Sequence, residues 1–202
     1  MSNHILFFKP YEVLSQFVDE TGRRTLKEFI PIPGVYAAGR LDYRSEGLLL
    51  LTDDGPLIQF LTDPHFAHTK TYLAQVEGIA DDRALTRLNN EIVLPGIQTQ
   101  RIVARAVPEP GLAERTKPIR KYHPTSWIEI TLREGKKHQV RRMTAAVGYP
   151  TLRLIRSAIG GLTLGSLQPG QWRELTQDEI AKLKQEQAKS SRMPADKNTR
   201  LR

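Results

Sequence analysis

The apolar residues of this chain fall in short runs of strand length, each stopped by glycine, proline or charge. Ile5–Phe8 is halted by Pro10, and Val35–Ala38 and Leu48–Leu51 flank the charged segment Gly39–Gly47. Three further stretches alternate between two faces. Tyr72, Ala74 and Val76 alternate with Thr71, Leu73 and Gln75 before Gly78. Within Arg101–Val107, Ile102, Ala104 and Ala106 alternate with Val103 and Arg105. Ile128, Ile130 and Leu132 alternate with Trp127, Glu129 and Thr131. Leu152–Ile155 and Gly161–Leu164 are shorter candidates. A period of two, repeated this often, makes a sheet the main structural element.

Helices are fewer but well marked. Thr176 with Glu179 three residues later is a capping-box pattern, and Leu175 can staple to Ile180 across it. That helix is expected through Leu183, fraying near Ala188. Asp81 can cap a helix that carries Leu85 and Leu88. Lys137–Val147 places Val140, Met143, Thr144 and Val147 on one stripe, with Gly148 as terminator. Pro108–Pro124, rich in proline and basic residues, reads as a long loop. Strands interleaved with few helices predict an α+β fold with a mixed sheet.

A chain of 202 residues suits one domain, and 39% hydrophobic content with 26% charged residues excludes a wholly disordered one. The longest apolar runs are too short to span a bilayer. The opening MSNHILFFKP has no basic n-region before its apolar residues, so a cytoplasmic location is expected. The lack of cysteine excludes a disulfide framework and thiolate chemistry. The net charge of +8 points to an anionic partner, with nucleic acid first. Residues 189–202 carry five cations against Asp196 and almost no apolar side chains, and are expected to form a disordered basic tail after a folded unit of residues 1–188.

Three segments carry candidate chemistry. In Gly39-Arg40-Leu41-Asp42-Tyr43-Arg44-Ser45-Glu46-Gly47 a carboxylate sits between two arginines in a loop bounded by strands, which suits a positioned reactive group. Nearby cations favour its ionised form. The same pattern also suits a plain hairpin turn with surface ion pairs. In the second segment, Glu134–Met143, four cations fall within the seven residues Lys136–Arg142. If the helix begins at Lys137, its first turn offers free N–H groups beside those cations, a phosphate site or else a solvated basic face. The third is Lys70-Thr71-Tyr72, whose tyrosine could stack on a base or lie half-buried in a sheet. His65-x-x-His68 lacks partners for a metal, and no phosphate-cradling glycine motif is present.

Taken together, the segments Phe8-Lys9-Pro10-Tyr11, AAGRLDYRSEGLLLLTDDG, KTYLAQVEG, EGKKHQVRRM and LRLIR resemble the pseudouridine synthases of the ribosomal small- and large-subunit branch, in that family's order. The resemblance implies a mainly antiparallel sheet in two lobes about a central RNA-binding cleft, with a few flanking helices. It implies an isomerase that converts one uridine of 23S rRNA without cofactor or metal. Asp42 would attack the target nucleotide so that uracil can detach, rotate and rejoin through C5. Tyr72 would pack on the base and assist proton removal, and Arg141 would pair with Asp42 and orient it. Arg40 and Leu41 would flank the nucleophile, with Arg40 filling the space of the flipped base. Leu154 would line the uracil pocket. Lys9, Lys136, Lys137, Arg142 and Arg156 would contact the RNA.

The chain also departs from that pattern. The first strand is expected to begin at Ile5, and the N-terminal S4-type domain that many relatives carry is not expected here. RNA selection is then expected from the catalytic unit, its loops and the tail. Glu12 stands where many relatives have glycine, so that turn is expected to differ. Lys136 replaces a common arginine, which keeps the charge and loses bidentate geometry. An RNA-binding factor without catalysis is the competing reading. A DNA-binding protein lacks any recognition-helix or zinc pattern. No sustained heptad pattern is present, and a monomer is expected.

Overall fold

The computed structural model describes residues 2–90, 92–94, 97–119 and 122–191. The strands are β1 (His4–Lys9), β2 (Tyr36–Ala37), β3 (Glu46–Thr52), β4 (Lys70–Glu77), β5 (Val93–Leu94), β6 (Ile97–Gln98), β7 (Val103–Val107), β8 (Thr125–Leu132), β9 (Thr151–Ile159), β10 (Leu162–Thr163) and β11 (Trp172–Glu174). The helices are α1 (Gly55–Thr62), α2 (Asp82–Asn89), α3 (Gln139–Ala146) and α4 (Gln177–Ser191). Nine strands form one sheet in the order β11-β1-β3-β9-β4-β8-β7, with β2 beside β3 and β10 beside β9, while β5 and β6 form a separate pair.

Every pairing in the large sheet is antiparallel except β3 with β9. That parallel pair registers at two positions, Glu46 with Ile155 and Gly47 with Arg156. It joins a half built on β1 and β3 to a half built on β4 and β8. The mixed, mainly antiparallel α+β fold expected from the sequence is the one observed.

The unbroken apolar runs of β1 and β3 follow from burial on both faces. Leu6, Phe8, Leu48 and Leu50 pack with Leu57, Phe60 and Leu61 of α1 and Leu183 of α4. Their alternates Ile5, Phe7, Leu49 and Leu51 pack on the other face against Leu26, Ile30 and Val35. In the second half, Ala74, Val76, Ile128, Ile130 and Leu154 meet Ala84 and Leu88 of α2, Val140 and Met143 of α3, and Val147 at its C-cap. Burying a side chain of this size contributes roughly 1.5–3 kcal/mol, so these clusters fix which face of each strand points inward.

The helix caps are mostly those expected. Asp81 Oδ1 accepts from Ala84 N–H at 2.7 Å. At α4 the Thr176 hydroxyl accepts from Glu179 N–H while Glu179 accepts from Thr176 N–H. That helix runs on to Ser191, beyond the fraying expected near Ala188, so residues 189–191 are helical and not tail. The remaining tail, residues 192–202, lies outside the described residues. Helix α1 has no counterpart in the sequence reading. Asp54 caps it by accepting from Leu57 N–H at 3.0 Å, and Pro56 stands in its first turn. Helix α3 starts at Gln139, two residues later than expected, because His138 takes a left-handed conformation at φ 54°.

Gly47 marks the tightest approach at the junction. Its φ is 107°, and a Cβ there would lie 2.3 Å from the Arg156 carbonyl oxygen. Both the backbone conformation and the clash exclude a side chain. Gly47→Ala is therefore expected to lower unfolding free energy by about 3 kcal/mol or more, read by urea titration. A loss within experimental error of zero would contradict this packing of β3 on β9.

Candidate functional site

A cleft of about 600 Å³ opens beside this junction. Its walls include Leu14, Ser15, Arg40, Leu41, Asp42, Tyr72, Leu132, Lys136, Lys137, His138 and Leu154. The loop from β2 to β3 and the turn before α3 converge there with Leu14 and Ser15, which follow β1, and with Tyr72 of β4, Leu132 of β8 and Leu154 of β9. The volume suits a single nucleoside-sized group.

The loop bearing Asp42 is held by its own backbone. Ser15 Oγ both accepts from Leu41 N–H and donates to the Leu41 carbonyl, each at 3.0 Å. Glu12 N–H donates to the Tyr43 carbonyl at 2.9 Å, and Ser45 N–H closes a turn onto the Asp42 carbonyl at 2.9 Å. Arg141 Nη2 donates to the Arg44 carbonyl at 2.7 Å. Glu12 reaches that carbonyl with a φ of 55°, a left-handed conformation in a residue that is not glycine. Such hydrogen bonds on both sides of one residue fix its side-chain origin, which is what preorganisation requires.

Arg141 does not pair with Asp42 in the way the sequence reading expected. Its two Nη groups donate to the carbonyls of Thr151 and Arg44, at 3.2 and 2.7 Å. Burial pulls the guanidinium below its ordinary pKa, and the Asp42 charge pushes it back up. Arg141 thus acts on Asp42 through its field while anchoring the loop. The ring nitrogen found near the carboxylate among the described residues is that of His138, with Nε2 3.6 Å from Asp42 Oδ1. The sequence reading assigned His138, within the segment Glu134–Met143, no role.

Several expected RNA contacts lie elsewhere. Lys9 is fully buried, and its Nζ donates to the carbonyls of Pro10 and Val13 at 2.9 and 2.7 Å. It thereby folds the turn that presents Glu12, Leu14 and Ser15 to the loop, and it is shut away from RNA. Arg156 is also buried, with Nε on the Leu48 carbonyl at 2.8 Å. Arg142 lies on α3 outside the cleft wall. Lys136, which pairs with Glu134 at 3.0 Å, and Lys137 do face the cleft, from the turn before α3.

Below the loop lies a buried pair missed in the sequence. Glu46 accepts from Arg153 Nε and Nη2 at 2.9 and 2.8 Å, and Arg153 Nη2 also donates to the Ala113 carbonyl. That bond ties the expected long loop, which runs between β7 and β8, to the strand carrying the site. Arg115 stacks 4.3 Å from the Tyr11 ring, and Lys117 reaches Glu12 at 3.7 Å. A signal existed in the motif spacing, since Glu46 follows the loop directly, but nothing local in sequence names Arg153 as its partner.

Burial lowers the Lys9 pKa to about 7, opposed by Glu46 and Asp42. The unfolded chain holds that proton up to the ordinary lysine value, about 10.4. Between these limits the unfolded state binds more protons, so this group makes stability rise with pH. The difference in unfolding free energy between wild type and Lys9→Met is expected to grow from pH 7 to pH 10 by up to about 1.4 kcal/mol per unit. Parallel stability curves for the two proteins would refute it.

The chain's relatives can be set beside this geometry. The sequence model of the RNA pseudouridylate synthase family matches residues 3–146. Ribosomal large subunit pseudouridine synthase E of Xanthomonas campestris pv. campestris is 53% identical over 174 residues, which cover 84% of this chain and 93% of that protein. The protein of the same name from Vibrio parahaemolyticus is 48% identical, covering 85% and 73%. A solved structure titled as a pseudouridylate synthase superposes with a TM-score of 0.75 at 30% identity, covering 91% of this chain and 74% of that one. With the match spanning the Asp42 loop, the cleft and the sheet that holds them, this chain belongs to the RNA pseudouridylate synthase family of isomerases.

Proposed function

We propose that the protein isomerises one uridine of 23S ribosomal RNA to pseudouridine, with Asp42 as the nucleophile. The observation that carries the reading is a carboxylate, 40% exposed, at the wall of a nucleoside-sized cleft, on a loop pinned through the Leu41, Tyr43 and Arg44 carbonyls. Four relatives at 48–53% identity bear the name ribosomal large subunit pseudouridine synthase E, which supports the choice of RNA.

The reaction is an internal rearrangement. The bond from C1′ to N1 breaks, one from C1′ to C5 forms, and the C5 proton leaves as N1 gains one. Asp42 attacks C1′ as the C1′–N1 bond breaks, the freed uracil rotates, and its C5 then displaces Asp42 from C1′, so the enzyme is regenerated. Tyr72 and Leu154 enclose the base, and Tyr72 assists removal of the C5 proton. Arg141 anchors the loop that carries Asp42, and Arg40 occupies the space that the extruded base vacates. Lys136 and Lys137 hold the RNA backbone. Extruding a base costs a few kcal/mol, which phosphate contacts offset. The catalytic unit, which runs to the end of α4 at Ser191, works as a cytoplasmic monomer, with the basic tail beyond it as an additional RNA contact.

Asp42→Asn is expected to keep the wild-type melting temperature and to abolish tritium release from C5-labelled uridine in 23S rRNA. Removing the nucleophile should lower the rate by at least about 10³-fold. Tritium release at the wild-type rate would sink the assignment.

A further inference from the structure

Among the described residues, the structure brings the imidazole of His138 within 4 Å of the Asp42 carboxylate. Three features of His138 stand together. Its backbone is left-handed at φ 54°, a conformation that costs a non-glycine residue about 1 kcal/mol or more. It stands at the cap of α3, yet its side chain makes no capping hydrogen bond. That side chain, 51% exposed, turns into the cleft toward Asp42 Oδ1. The strain therefore serves neither the helix cap nor burial. It aims an imidazole at the carboxylate.

In this structure the hydrogen bonds of the Arg141 Nη groups run to the Arg44 and Thr151 carbonyls and not to the Asp42 carboxylate. Lys136 pairs with Glu134. We propose that His138 is a positioning residue: its Nε2–H donates to Asp42 Oδ1 and leaves Oδ2 as the oxygen presented to the target nucleotide. The proposal rests on the reading of Asp42 as nucleophile. The 3.6 Å separation is longer than a hydrogen bond, and catalytic contacts of this kind tighten when substrate fills the site. A small rotation of the half-exposed ring closes the gap, and α3 holds its backbone still.

The division of labour follows from the two anchors. Arg141 fixes the loop backbone and supplies a buried positive field. His138 fixes the carboxylate torsion, which the backbone bonds leave free. A residue that only bound RNA phosphate would act on substrate affinity instead.

The test uses the full chain and measures tritium release from C5-labelled rRNA for wild type, His138→Gly and His138→Asn. Glycine and asparagine both accept a left-handed backbone, and thermal melts check that each variant folds. His138→Gly is expected to lose roughly 10- to 100-fold in kcat with KM changed by less than about twofold. His138→Asn, whose amide can donate, is expected to recover to within about tenfold of wild-type kcat. An unchanged kcat in His138→Gly, or a loss confined to KM, would overturn the proposal. If Asp42→Asn is inactive while His138→Gly is fully active, only the role of His138 falls. If Asp42→Asn is itself active, the reading beneath it falls.

Discussion

The bond from the Arg141 guanidinium to the Arg44 carbonyl joins the two sequence-distant halves of the site. It ties the loop after β2 to helix α3, across 97 residues of chain. With its second bond, to the Thr151 carbonyl at the start of β9, Arg141 links loop, helix and sheet at one point. Asp42 gains its fixed position from that link and from the Ser15 and Glu12 bonds on its other side. Without it, the cleft would be a gap between two lobes that meet along a parallel strand pair two registered positions long.

Several charged groups are buried to build this frame. Glu46 and Arg153 are both nearly inaccessible and make a bidentate pair, while Lys9 and Arg156 rest on backbone carbonyls. Burying a charge is costly unless partners satisfy it, so such groups are weak sources of net stability. Their value here is geometric. Lys9 folds the Pro10–Val13 turn, and the Glu46–Arg153 pair ties the Ala113 backbone to β3. The apolar clusters on either side supply the driving force that holds these groups in place.

How far the sequence led can be traced residue by residue. Strands β1, β3, β4 and β8 were legible because their alternation or continuity reflects one or two buried faces. The caps of α2 and α4 were legible because Asp81 and the Thr176–Glu179 pair act within one turn of chain. Helix α1 was not, since Asp53-Asp54-Gly55-Pro56 reads equally as a turn and its apolar stripe spans two turns. The start of α3 was misplaced because a left-handed histidine leaves no sequence mark. Lys9 and Arg156 were taken for RNA contacts because charge suggests exposure. Only the packing of β1, β3 and β9 shows them to be internal. Asp42, Tyr72 and Leu154 were named through a motif, while the convergence of their side chains on one cleft is a property of the fold. His138, which touches Asp42, escaped notice because contact across the loop–helix junction is invisible to spacing.

Once Lys9 and Arg156 are placed inside, the basic surface at the cleft narrows to Arg40, Lys136 and Lys137, with His138 beside Asp42. That is a small cationic rim around a single carboxylate, suited to hold one nucleotide by its backbone while a base enters the pocket. The most direct measurement is a map of pseudouridines in 23S rRNA from cells lacking this protein, complemented by wild type or by Asp42→Asn. The account predicts that one uridine stays unmodified in the deletion strain, regains pseudouridine with wild type, and remains uridine with Asp42→Asn. An unaltered map in the deletion strain, or full restoration by Asp42→Asn, would contradict it.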